Sequence, residues 1–183
     1  MDTVKQIDIA GTANRYMMKK VLKVPVVIKK RDVCQTWDFP RDDQLKLIND
    51  LDETNADGAS IAIFRELNKK LAGYKQQDLK KGIHDENKFV ELADIVDKMR
   101  ESLLRCRYCS TEMLVLYDIS REMTQWTVDR IDNDEGHNKD NYHLACLKCN
   151  LKRRRTSDDK FLLSSTFSTF LKGGAKSDRK CSL

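Results

Sequence analysis

An α+β fold is what this sequence predicts, and three observations carry it. Amphipathic stretches with helical spacing fill the chain up to about residue 104, and runs of β-forming residues follow Cys109. Two Cys-X-X-Cys pairs, Cys106/Cys109 and Cys146/Cys149, bracket those runs. The organisation expected is a mostly helical region over 1–104, a cysteine-stapled module over 105–160, and a partly flexible C-terminal tail over 161–183. At 183 residues the chain fits one domain, or a compact domain with an extension, and no fixed-period repeat points to a solenoid.

The elements follow from local pattern. "TANRYMMKKVLK" spaces Tyr16, Met17 and Leu22 as a helix, which "VPVVIKK" converts to an extended run around Pro25. A helix beginning at Pro40 carries Leu45, Leu47, Ile48 and Leu51, and "NADG" marks a turn. From Ser60, Ile63, Leu67 and Leu71 recur every four residues, with Gly82 as the stop. Asp85 or Asn87 is placed to cap the next helix, whose stripe is Phe89, Leu92, Ile95, Val96, Met99 and Leu103. After Cys109, "EMLVLYD" and "QWTVDRI" read as two strands, "NDEGHNKDN" as a polar loop, and "YHLACLKCNLKRRR" as the entry into a short helix. Trp126 reads as the large ring of a small core.

Composition narrows the function classes. Lys and Arg number 34 against 29 Asp and Glu, an excess that permits a polyanionic partner. The cluster Lys19, Lys20, Lys23, Lys29, Lys30 and Arg31 reads first as a solvated face and second as part of a nucleic-acid footprint. No apolar run reaches the ~18 residues of a membrane span, and the N-terminus lacks a secretory pattern. "RKCSL" misses the prenylation box. A soluble, intracellular, unlipidated protein with no membrane partner is expected, in nucleus, cytoplasm or virion.

Two like-spaced cysteine pairs point to one structural zinc. Each Cys-X-X-Cys turn aims two thiolates at one ion with Zn–S near ~2.3 Å, and four thiolates close the shell, leaving no position for reactive water. A redox dithiol or two disulfides are the competing readings. Cys34 and Cys181 have no partner at such a spacing and read as a small buried residue and a tail thiol.

With those residues in place, "CRYC" followed by "WTVDRIDNDEGHNKDNYHLACLKCNLKRR" resembles the HNH (His-Me finger) endonuclease family, in its Asp-Arg-Ile-Asp variants from phages and large DNA viruses. The resemblance covers roughly residues 105–155. It implies a ββα-metal module with a structural zinc and one catalytic Mg2+ or Mn2+. It also implies Asp129 and Asn150 as ligands of that ion and Asn141 as the residue orienting the base. Arg130 falls where the family carries its histidine base, and a guanidinium, always protonated, cannot take a proton. It suits phosphate binding instead.

His137 is the nearest substitute base, with Gly136 as the turn that would bring its ring inward; a solvent-facing histidine is the competing reading. His143 and Asp132 are weaker candidates. Lys152, Arg153, Arg154 and Arg155, directly after the expected metal site, read as contacts to a nucleic-acid backbone. Two functions stay open. One is a metal-dependent endonuclease hydrolysing DNA, with the double-stranded form as its expected partner. The other is a catalytically weak HNH-like module that binds DNA or serves as a virion or interaction protein. In either, the helical region is available to a protein partner.

Overall fold

In the computed structural model the described residues are 18, 21–22, 28–51 and 57–174. They form five α-helices and one two-stranded antiparallel sheet: α1 (Gln44–Asn49), α2 (Gly58–Lys81), α3 (Leu92–Glu101), β1 (Trp126–Arg130), β2 (Tyr142–Cys146), α4 (Leu147–Arg153) and α5 (Asp158–Gly174). Most of the helix expected around residues 12–23, the extended run as far as residue 27, Lys19, Lys20, Lys23 and Cys181 lie outside the described residues.

Side-chain caps set the helix starts. The helix expected from Pro40 begins at Gln44, because the Asp43 carboxylate accepts the Lys46 N–H at 2.9 Å. Asp57 caps α2 in the same way, and Gly82 ends it in the left-handed region with φ 68°. The third helix starts neither after Asp85 nor after Asn87. Residues 88–90 instead run alongside the loop that follows β1: Val90 N–H donates to His137 O at 2.9 Å, and Lys139 N–H to Lys88 O at 2.9 Å. The helix waits until Glu91, whose N–H is taken by Asp94 Oδ2 at 2.9 Å.

The strand reading needs the larger correction. "EMLVLYD" is no strand; it is a buried irregular segment touching its neighbours through single bridges, Leu114 with Gln125 and Arg105 with Glu112. The middle of its backbone is satisfied by one buried side chain, its ends by neighbouring backbone such as Leu104 O and Thr124 O. Gln44 Oε1 accepts Val115 N–H at 2.7 Å and Leu116 N–H at 2.9 Å, and its Nε2 donates to Leu116 O at 2.7 Å. The strand that pairs with "WTVDR" is "YHLAC", in register Trp126 with Cys146 through Arg130 with Tyr142. The short helix follows at Leu147, so the order is strand, loop, strand, helix.

One buried cluster joins the helices to the cysteine module. Ile63, Leu67 and Leu71 of α2 and Ile95 and Met99 of α3 pack with Leu104, Met113, Leu116, Trp126 and Leu144. Trp126 is fully buried, as its core reading requires. Lys70 lies over its ring at 4.6 Å and donates to the Trp126 carbonyl, and burial pushes the Lys70 amine down to about 7. Arg31, counted in the basic cluster, is internal: it pairs with Glu66 at 2.6 Å and donates to Tyr117 O at 3.0 Å. Cys34 is partly buried and donates to Tyr117 O. Beyond residue 160 the chain is helical as far as Gly174, anchored by Phe161, which meets Tyr108 edge-on at 4.8 Å.

Candidate metal centre and the hairpin beside it

The two cysteine pairs meet. The sulfur atoms of Cys106, Cys109, Cys146 and Cys149 all lie within 4.8 Å of one another, and Cys109 and Cys146 are 3.8 Å apart. A tetrahedron with Zn–S near ~2.3 Å has edges of ~3.8 Å, the Cys109–Cys146 distance, so these four sulfurs could hold one zinc. The five described cysteines are free of disulfides. Crowding sets the thiols against one another: hydrogen bonds from Cys146 and Cys149 lower the Cys106 pKa, while the same contacts raise those of Cys146 and Cys149.

Local backbone explains how each pair turns. In the first, Cys106 O accepts Ser110 N–H at 2.9 Å and Ser110 is left-handed, with φ 55°. In the second, Leu147 N–H and Lys148 N–H donate to Gln125 O and Met123 O, tying the start of α4 to the segment before β1. The ion would thus staple both ends of the hairpin to the irregular segment.

Strand alternation decides where the candidate residues go. Thr127 and Asp129 face α4. Asn150 Nδ2 donates to Thr127 Oγ1 at 3.0 Å and to Val128 O at 3.3 Å. Asp129 is held completely: Arg153 Nε meets its Oδ2 at 2.7 Å, Arg153 Nη2 meets Oδ1 at 2.9 Å, and the Tyr108 hydroxyl donates to Oδ2 at 2.7 Å. Arg153 is fully buried and also reaches Arg130 O and Thr156 O. This corrects the reading of Arg153 as a backbone contact, because a guanidinium with no exposed surface cannot touch DNA. The donor set at Asp129 does not fit a catalytic divalent ion either, since both carboxylate oxygens already serve a cation.

No significant match was found among protein-family models, curated proteins or solved structures. The site is therefore read from its own geometry.

Asn141 and Arg130 brace the loop between the strands. Asn141 accepts Asp132 N–H at 2.8 Å and donates to Asp132 O and Gly136 O, while Arg130 Nη1 donates to Asn133 O and Glu135 O. Asp132 itself accepts Asp134 N–H at 2.9 Å, closing a turn. Asn141 therefore orients the loop and not an imidazole. His137 is buried, but against α2: its Nδ1 lies 2.7 Å from Asp78 Oδ1, its N–H donates to Asp78 Oδ2 at 2.7 Å, and its ring stacks on Tyr74 at 4.6 Å. Burial holds its pKa below the ordinary histidine value, outweighing the opposing pull of Asp78. The structure does not bring it together with Asp129 and Asn150.

Gly136 makes that approach possible. A Cβ there would stand 2.7 Å from Ile83 O and 3.1 Å from Asp78 Oδ2. Gly136→Ala is expected to destabilise the protein by about 1–3 kcal/mol through overpacking. Thermal unfolding checks this, and an unchanged Tm would mean that the loop does not sit on the end of α2.

Two residues of this region, Asp78 and Asp158, escape the sequence reading, and the role of a third, Arg153, is misread by it. Asp78 was legible: it continues the stripe Leu67, Leu71, Tyr74, and a carboxylate on a buried helical face signals a specific partner. Arg153 follows buried Cys149 by one helical turn, which marks it as inward. Asp158 had no such signal. Its Oδ1 lies 2.7 Å from the Tyr108 hydroxyl, whose single proton it shares with Asp129 Oδ2, and its Oδ2 lies 3.4 Å from His143 Nε2.

Proposed function

We propose that the chain is a DNA-binding protein built on an HNH-like, zinc-stapled element, in which the Asp129–Arg153 ion pair stands in the place of metal-dependent hydrolysis. The observation that carries this reading is the outward face of α4 and its following turn. Lys148, Lys152, Arg154 and Arg155 are all exposed there, and among the described residues no carboxylate lies within ion-pair distance of any of them. Arg154 departs from helical geometry, with φ 55° and ψ −111°, so α4 ends at once and both terminal arginines are exposed. Exposed, uncompensated cations on a rigid element are what a phosphate backbone binds, by counterion release.

The test has two arms. Arg154→Gln/Arg155→Gln is expected to weaken duplex DNA binding at all sequences and to lower the salt slope by about two, one for each arginine neutralised. Unchanged affinity in a salt titration would remove the patch from the interface. In the second arm, wild-type protein with Mg2+ or Mn2+ is expected to leave supercoiled plasmid uncut.

A second reading, a metal-dependent DNA endonuclease, is favoured by the Asp78–His137 pair. An imidazole oriented by a buried carboxylate is the arrangement a general base takes. Divalent-dependent nicking that disappears in His137→Ala would establish it over the first.

A further inference from the structure

A cleft of about 300 Å3 opens between the end of α3 and the first cysteine pair. Lys98 enters it from α3, Arg105 and Arg107 from the cysteine turn, and His143 from β2, with Glu101 as its exposed carboxylate. We propose that this cleft is a second phosphate-binding site, through which Lys98, Arg105 and Arg107 hold the backbone of duplex DNA over the His143 ring.

Three features support it. The cations come from separate chain segments that the core and the cysteine cluster hold together, so their convergence is built into the fold. Lys98 lies over the Tyr142 ring at 5.5 Å, and Arg105 uses one donor on Ser110 O at 3.0 Å, which leaves the rest of each head group to a ligand. Between them the chain passes through Leu103 and Leu104, both left-handed, with φ 51° and 54°. Two consecutive leucines in that region are strained, and fully buried Leu104 shows what holds them there. Without this reversal Arg105 would continue away from Lys98.

The negative charge is turned inward. Asp158 gives one oxygen to Tyr108, and its other lies 3.4 Å from His143 Nε2 and 4.0 Å from Arg107 Nη2. Its side chain is almost buried, whereas that of Arg107 is 44% exposed. Three cations therefore face one exposed carboxylate. Arginine forks match carboxylate and phosphate oxygens alike, and it is the gathering of three cations in one cleft that suits the closely repeated charge of a phosphodiester backbone.

The choice of duplex DNA as ligand rests on the DNA-binding reading; the cleft's geometry does not. The test follows the His143 imidazole by 15N NMR in the full chain while a short duplex, or inorganic pyrophosphate, is added. Duplex is expected to shift the ring resonances in the wild type. Lys98→Gln/Arg107→Gln, checked for unchanged zinc content, should abolish that shift and lower the salt slope by about two. Glu101→Gln should tighten binding. If duplex binds neither protein but pyrophosphate still shifts His143 in the wild type and not in the double variant, the phosphate site stands and the DNA-binding reading falls. If neither ligand moves His143, or the double variant keeps the wild-type slope, the cleft is no phosphate site.

Discussion

Asp129→Leu is expected to cost about 3–5 kcal/mol of stability, the usual consequence of stranding one partner of a buried ion pair. Arg153 is fully buried, with its Nε 2.7 Å and its Nη2 2.9 Å from the Asp129 carboxylate, and it has no route to neutrality because guanidinium does not lose its proton. The reverse substitution, Arg153→Met, should cost less: the abandoned carboxyl can take up a proton and keep its bond with Tyr108. Asp129→Leu/Arg153→Met should recover most of the loss, since an apolar pair of similar volume replaces both charges. Urea unfolding of zinc-saturated protein measures all three. Because small domains hold only about 5–15 kcal/mol in total, the single Asp129 substitution should move the midpoint far. A carboxylate reserved for a catalytic ion behaves oppositely, as its removal relieves charge and leaves stability unchanged or higher; that outcome would return Asp129 to the endonuclease reading.

The contrast between Asp129 and Arg153 also shows what the sequence could and could not carry. Helix periodicity located α2 and α3, because Ile63, Leu67, Leu71 and Ile95, Met99 sit on faces that the core demands. The cysteine spacing located the metal centre for a similarly local reason: each pair is one tight turn. The second strand was misplaced because "MLVLY" and "YHLAC" have equal β-forming character. Part of what separated them was Gln44, some seventy residues away, which occupies the Val115 and Leu116 N–H groups that a strand ladder would use. Arg153 was misread because a run of four basic residues looks uniform, whereas the helix turns one of the four inward onto Asp129. His137 likewise depended on Asp78, which lies in another element. Residues whose roles are set by partners distant in sequence were the ones pattern alone could not assign.

Removing zinc is expected to have the other large effect, for reasons that lie in the same region. Residues 105–125 contain no regular element, only isolated bridges, and the sheet they support has two strands of five residues each. A two-stranded hairpin is marginal in water without further support. Structural zinc in small modules contributes apparent binding free energies of about 10–16 kcal/mol, comparable with the whole stability of a domain. One zinc per chain should therefore be found by metal analysis. Its removal by chelation, or Cys106→Ser, should lose the near-ultraviolet circular dichroism of Trp126 and Tyr108, which both pack in the joined core. Helical signal from α2 should partly persist, since its caps and apolar stripe are formed within the helix itself. Binding to duplex DNA should fall together with the aromatic signal, because α4 begins at Cys146 and holds its cations outward only while that cysteine is fixed. A zinc-free protein that kept its unfolding midpoint and its affinity for DNA would show that the four sulfurs are neighbours by packing alone.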